Sequence, residues 1–126
     1  MSDTALPEHV QEFILKHIDS VAQLEALLLL RRSAEREWDA PTAAKRLYSG
    51  IPETAEALAR LAADGFLMAT ANGCYRYGCR TQELQEMVDQ LADHYARHLI
   101  PVTNLIHAKP RRIRAFADAF KLRKEP

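Results

Sequence analysis

Apolar residues recur at helical spacing in the first third of the chain and predict two helices. The first covers residues 8–18. The second covers residues 21–33, with Asp19 or Ser20 as its N-cap. Because a run of leucines makes the second helix apolar nearly all round, we expect it to occupy the centre of the core. The apolar positions that define the first helix are Val10, Phe13, Ile14 and Ile18.

Two shorter helical patterns follow and meet at a serine–glycine turn. The first spans residues 40–48, and Asp39 suits its N-cap. The second spans residues 52–64, opens on a proline and ends at Gly65, which suits the left-handed position after a helix. The expected core positions are Ala44, Leu47 and Tyr48 in the first helix and Ile51, Ala55, Leu58 and Ala62 in the second. The expected outward positions of the second helix are Glu53, Glu56, Ala57 and Arg60.

An alternation of apolar and polar residues comes next, folded back on Asn72-Gly73. This dipeptide favours a two-residue type I′ hairpin. Such a turn sets Met68 opposite Tyr77 and places Arg76 on the other face. The residues expected to share the buried face are Phe66, Met68, Tyr75 and Tyr77.

The order helix, turn, helix and hairpin over residues 42–77 resembles the winged helix-turn-helix of bacterial MarR-like regulators. The ending RAFADAFKLRK is similar to the tail of an uncharacterised family of small bacterial proteins predicted to be winged-helix regulators. The resemblance implies a mostly α fold with a small β-hairpin wing (α+β), in which Trp38 lies in a short first strand and fills the core. We expect a winged-helix domain with N-terminal helices over residues 1–80 and a C-terminal helical extension over residues 81–126, together forming one compact unit.

The resemblance also implies a DNA-binding transcriptional regulator. In the family's docking mode the second short helix enters the major groove, and the first lies near the sugar-phosphate backbone. Thr42, Lys45 and Arg46 lie on the outward face of that first helix and are the expected phosphate contacts. Arg60 and Arg76 are the further DNA-binding candidates. An ordinary solvated helix face explains Lys45 and Arg46 equally well.

The charge of the second short helix argues against DNA binding. Glu53 and Glu56 lie near its leading end, where carboxylates repel phosphates. A glutamate can still accept a hydrogen bond from cytosine N4. The acidic pair is also explained by the helix dipole and by a Glu56–Arg60 pair at i,i+4. The alternative hypothesis is therefore a winged-helix module for protein–protein interaction that does not bind DNA.

A long helix with a heptad pattern is predicted after Thr81. Pro101 should break it near Ile100. The apolar stripe packs either on its own domain or on a second chain, and we expect a homodimer because winged-helix regulators often dimerise through terminal helices. The residues expected at the dimer or packing interface in this helix are Leu84, Val88, Leu91 and Tyr95.

The last residues, 109–126, form a basic amphipathic helical pattern. Its apolar positions include Phe116 and Phe120, which we expect to dock on the body of the protein or on a partner. Contact with an anionic membrane surface or nucleic acid is the alternative. The formal net charge of the whole chain is zero, since the basic tail balances acidic helices. A dedicated DNA-binding domain is usually more basic.

Composition excludes several other classes. The length of 126 residues fits one domain. No apolar run can span a bilayer, and no secretory signal pattern is visible, so the two cysteines are expected to be reduced thiols in the cytoplasm. His94 and His98 have the i,i+4 spacing of a metal pair but lack a close third ligand, so no metal is expected. No cofactor or catalytic motif appears, and we expect no enzymatic activity.

Overall fold

The computed structural model describes residues 6–108, which are mostly helical with one small antiparallel sheet. The elements are helices α1 (Glu8–His17), α2 (Val21–Arg32), α3 (Ala40–Leu47) and α4 (Ile51–Ala63), strands β1 (Leu67–Ala69) and β2 (Tyr75–Tyr77), and helix α5 (Gln82–Arg97). Residues 99–108 are again helical. The predicted mixture of helices and one hairpin is confirmed. None of the helices in this part of the chain is long and apolar enough to cross a bilayer.

Helix α2 lies at the centre of the core, as its leucines predicted. Of its 12 residues, seven are buried, so it is covered on nearly every side. Ser20 caps it by accepting a hydrogen bond from the Gln23 backbone N–H at 3.0 Å. The buried Gln23 side chain accepts from the Asp19 N–H and donates to the His17 carbonyl. This polar side chain is therefore satisfied and fixes the turn between α1 and α2.

Helix α3 begins at its predicted cap, because the Asp39 carboxylate accepts a hydrogen bond from the Thr42 N–H at 2.8 Å. The prediction that Tyr48 is buried is wrong. Tyr48 ends the helix in the left-handed conformation (φ 56°), and it is 97% exposed. The left-handed turn carries its side chain off the buried face that Ala44 occupies one turn earlier.

Helix α4 presents a different face to the core than predicted. Ile51 and Ala55 are exposed, although both were expected to be buried, and Ala57 is buried instead of facing outward. The buried positions are Thr54, Ala57, Leu58 and Leu61. Sequence periodicity missed this stripe because one of its members is the polar Thr54.

The burial of Thr54 has a local cause. Its hydroxyl donates to the Gly50 carbonyl and accepts from the Ser49 hydroxyl, each at 2.8 Å. Because both of its hydrogen-bonding partners lie in the turn before α4, Thr54 can be buried without a desolvation penalty. Ile51, the first residue of α4, faces solvent and is 51% exposed.

The hairpin pairs one residue out of the predicted register. Leu67 lies opposite Tyr77 and Met68 opposite Arg76, so the prediction that Met68 shares the buried face is wrong. Asn72 and Gly73 both have positive φ, as a type I′ turn requires, but the loop contains a third residue. One extra residue exchanges the two faces of β1, which leaves Leu67 buried and Met68 half exposed.

Trp38 extends this sheet by one residue. Its backbone N–H and carbonyl both pair with Tyr75 at 2.8 Å, and its side chain is completely buried. The expectation that Trp38 fills the core from a short strand-like segment is confirmed. The connector between α2 and α3 is thereby fixed to the hairpin.

Helix α5 packs on its own chain. Thr81 caps it, and the helix ends at Arg97, with a break at His98 that lies two residues before the predicted position. Pro101 explains the break because its ring clashes with the carbonyl four residues earlier. Of the residues expected at an interface, Val88 and Leu91 are buried in the core, and Leu84 and Tyr95 are partly buried against it. Phe116 and Phe120 lie outside the described residues.

Candidate nucleic-acid interface

Two arginines converge on the indole of Trp38. The guanidinium carbon of Arg36 lies 4.1 Å from the ring centroid, and that of Arg46 lies 5.4 Å from it. Both distances are within the range of a cation–π interaction. Arg36 and Arg46 are themselves exposed, although the indole beneath them is buried. We call these three residues the arginine–tryptophan cluster.

The backbone around the cluster is held at several points. The connector is fixed by the Trp38–Tyr75 pair and by a hydrogen bond from the Arg36 N–H to the Ser33 carbonyl at 3.0 Å. Arg46 belongs to the last turn of α3, where the helix dipole favours a cation. The cluster therefore places two positive charges close together on a backbone that is already held in position.

Neither arginine of the cluster forms an ion pair with any residue between 6 and 108. Arg31, Arg60 and Arg97, in contrast, each pair with an aspartate. The nearby Asp39 is committed to capping α3. Its pKa lies below the ordinary value of 3.8, chiefly because its hydrogen bonds to Thr42 favour the carboxylate, with a smaller contribution from Arg36. Within residues 6–108, the charges of Arg36 and Arg46 are therefore not balanced by an ion pair.

The predicted phosphate contacts on α3 lie beside this cluster. Lys45 and Arg46 are exposed, as predicted, and Thr42 is half-buried one turn earlier on the same helix. Sequence reasoning missed Arg36. No sequence pattern marked it, because Arg36 lies in a bend after α2, where the alternation of a strand does not apply.

Arg60 and Arg76 are placed differently. Arg60 on α4 pairs with Asp19 at 2.8 Å and with Asp64 at 3.2 Å. Its charge is already balanced by two carboxylates. Arg76 lies in β2 opposite Met68 and is half-buried. The structure therefore brings neither residue into the arginine–tryptophan cluster.

The outward face of α4 is acidic and apolar. Glu53 and Glu56 are exposed, and the carboxylate of Glu53 folds against Gly50, where any side chain would collide with it. A shallow groove of about 510 Å³ separates this face from the start of α2 and is lined by both glutamates and by Arg60. The Glu56–Arg60 pair expected from their spacing is replaced by the pairs of Arg60 with the two aspartates.

The histidines and cysteines belong to no group of three metal-ligating residues in the described part of the chain. The rings of His94 and His98 stack with centroids 5.9 Å apart, but no group of three metal-ligating residues occurs within residues 6–108. Cys74 and Cys79 are free thiols. Burial is the largest influence on Cys79 and raises its pKa, which is the opposite of what a reactive thiol needs.

Comparisons with protein-family models, with curated protein sequences and with solved structures find no significant match to this chain.

Proposed function

We propose that this protein is a cytoplasmic winged-helix DNA-binding regulator in which Arg36, Lys45 and Arg46 hold the phosphate backbone. The order of α3, a three-residue turn, α4 and the hairpin supports a helix-turn-helix followed by a wing. The Trp38–Tyr75 pair supplies the short first strand expected of such a domain. The observation that carries the proposal is the arginine–tryptophan cluster, because it presents two unpaired guanidinium groups on a fixed backbone.

In this proposal α4 enters the major groove while α3 and the connector lie along the backbone. The phosphate contacts supply most of the affinity and set the register of the protein on the duplex. Arg76 would reach DNA only from the outer face of the wing. A homodimer is part of the proposal. Since Val88 and Leu91 are buried in their own chain, the dimer contact must use other surface, and the exposed Leu99 and Ile100 offer it.

Fluorescence anisotropy with a mixed-sequence duplex tests the proposal. We expect Arg36→Gln/Arg46→Gln to weaken binding at low salt by roughly tenfold or more, because two phosphate contacts are lost. Glutamine keeps part of the aliphatic stem over the indole, which limits damage to the core. The matched control is Lys16→Gln/Arg97→Gln, which removes the same charge from α1 and α5. Equal affinity of both double variants would contradict the proposal.

A second candidate function is protein binding, which one observation favours. Tyr48 is 97% and Ile51 51% exposed, and they flank the turn before α4. Exposed large apolar side chains next to an acidic helix suit a protein surface better than a phosphate backbone. Tyr48→Ser separates the two functions. If the protein binds DNA, this variant should keep its salt-dependent DNA affinity within a fewfold. If the protein is a protein-binding module, the wild type should show no DNA affinity, and the variant should lose its protein partner.

A further inference from the structure

We propose that a shallow cavity beside the arginine–tryptophan cluster binds a small phosphorylated polyol, such as a sugar phosphate, through Arg32 and Arg36. The ligand occupies Arg36 and thereby competes with DNA for the cluster. The binding step stands on the cavity itself, whereas the competition rests on the proposed DNA-binding function and deepens it.

The cavity lies at the end of α2, where the connector to Trp38 begins. It has a volume of about 400 Å³ and is lined by Arg32, Ser33, Glu35 and Arg36. A volume of this size accommodates a small metabolite. The Arg36 N–H donates to the Ser33 carbonyl at 3.0 Å, so the backbone that carries these side chains is fixed.

Both arginines that line the cavity are exposed and unpaired. Neither Arg32 nor Arg36 forms an ion pair with any residue between 6 and 108, including Glu35 in the same cavity. Arg46 adds a third unpaired guanidinium, because it contacts the same indole as Arg36. Like charges held close together repel one another, and an anion bound beside them relieves that repulsion. The site therefore favours a ligand with more than one negative charge.

The carboxylates of the connector determine which anion fits. Glu37 accepts a hydrogen bond from the Thr70 hydroxyl at 3.3 Å, and Asp39 caps α3. Glu35 lines the cavity and, when ionised, can only accept hydrogen bonds. It repels a bare phosphate but accepts a hydrogen bond from a hydroxyl group next to one. The cavity thus combines arginines, whose planar donors match phosphate oxygens, with an acceptor for a neighbouring hydroxyl.

The number of charges distinguishes this ligand from the DNA backbone. A phosphomonoester carries nearly two negative charges at neutral pH, whereas each phosphodiester of DNA carries one. The additional charge interacts favourably with every nearby guanidinium. We therefore expect a phosphomonoester to bind roughly tenfold more tightly than a phosphodiester of similar size.

A ¹H–¹⁵N NMR titration of the full-length protein with glycerol 3-phosphate tests the binding step. The chain has one tryptophan, so its indole N–H gives a single resonance beside the site. The Trp38 Nε1 atom is buried and has no hydrogen-bond partner among residues 6–108, so its shift reports movement of charge above the ring. We expect this resonance and the backbone amides of Ser33 and Arg36 to shift saturably with one Kd.

Two control ligands and two variants make the titration specific. At equal ionic strength, dimethyl phosphate should bind roughly tenfold more weakly than glycerol 3-phosphate, and glycerol should not bind. Arg32→Gln should weaken glycerol 3-phosphate binding by roughly fivefold or more, because a charge-assisted phosphate contact is lost. The matched variant Lys16→Gln removes one positive charge from an exposed position of α1 and should leave the affinity within about twofold.

Fluorescence anisotropy with duplex DNA then tests the competition. Glycerol 3-phosphate at roughly ten times its Kd should weaken DNA binding about fivefold relative to sodium chloride of the same ionic strength. The expected loss is partial because Lys45 remains available to the phosphate backbone.

The outcomes separate this inference from the function beneath it. Saturable shifts that require the phosphomonoester and weaken in Arg32→Gln support the site. Absence of saturable shifts, equal binding of dimethyl phosphate, or equal affinity of the two variants overturns it and leaves the DNA-binding proposal standing. Glycerol 3-phosphate binding without DNA binding at low salt overturns the proposed function and the competition but not the site. Binding of both ligands without competition overturns the competition alone.

Discussion

Gly65 joins α4 to the hairpin in a conformation that other residues avoid. Its φ is +92°. The Phe66 N–H donates to the Leu61 carbonyl at 3.0 Å, and the Gly65 N–H donates to the Ala62 carbonyl at 3.1 Å. This is the Schellman arrangement that a glycine after the last helical turn predicted. Replacing Gly65 by alanine therefore tests how α4 and the hairpin are held together.

The cost of Gly65→Ala has two parts. A left-handed backbone costs about 1–2 kcal/mol for a residue with a Cβ atom. The new Cβ would also lie 3.2 Å from the Cβ of Arg80, which cannot easily withdraw because its N–H is bonded to the Gly65 carbonyl at 2.6 Å. We expect the free energy of unfolding to fall by about 2–3 kcal/mol in total, a large share of the stability of a domain this size.

Urea unfolding followed by circular dichroism measures this cost, and Gly73→Ala is its matched control. Gly73 also has a positive φ (+74°), but no atom lies within 4 Å of an added Cβ. Its substitution should carry only the backbone cost, about 1 kcal/mol. The reasoning would be refuted if Gly65→Ala were no more destabilising than Gly73→Ala.

Three further predictions use the same unfolding assay. Leu27→Ala, at a fully buried position of α2, should cost about 2–5 kcal/mol, and a cost below 1 kcal/mol would contradict the central place of this helix. Tyr95→Phe removes the hydrogen bond to Glu25 at 2.6 Å. Burial and this bond raise the pKa of Tyr95 above its ordinary 10, so wild-type stability should decline as the pH rises above 10, and the decline should be shallower in Tyr95→Phe. Asp39→Asn should keep the cap of α3 at neutral pH, whereas Asp39→Ala should lose it. Because the pKa of Asp39 is lowered in the folded state, the wild type should lose stability as the pH falls through 3.8 and below, and Asp39→Asn should lose less.

Sequence periodicity predicted the helices well where burial and apolarity coincide. The N-terminal helix and α2 follow their apolar spacing, and α2 and α3 are capped by Ser20 and Asp39, as serine and aspartate at these positions predicted. The same rule failed on α4, where burial of the polar Thr54 depends on two hydrogen bonds in the preceding turn. A hydrophobic pattern does not show such hydrogen-bonding partners. The prediction therefore placed Ile51 in the core and Ala57 on the surface, whereas the structure has the reverse.

The hairpin shows how one residue can reverse a prediction. Asn72-Gly73 identified the turn correctly, and both residues have positive φ. The loop length was wrong by one residue, and this reversed the faces of β1. Strand register depends on tertiary contacts of Leu67 and Phe66 with the core, which the dipeptide does not encode.

The sequence predicted only part of the candidate site. Lys45 and Arg46 were predicted because they lie on the polar side of an amphipathic helix. Arg36 was missed because its importance depends on Trp38, which Arg46 also contacts from a different element. Convergence of two distant residues on one side chain is a property of the fold.

The salt dependence of DNA binding tests the central claim most directly. Each phosphate contact contributes about −0.9 to the slope of log affinity against log salt concentration, so the slope for the wild type should be about −3 or steeper. The slope for Arg36→Gln/Arg46→Gln should be shallower by roughly two units. No binding at low salt, or the same slope for both proteins, would contradict the assignment of the arginine–tryptophan cluster to the phosphate backbone.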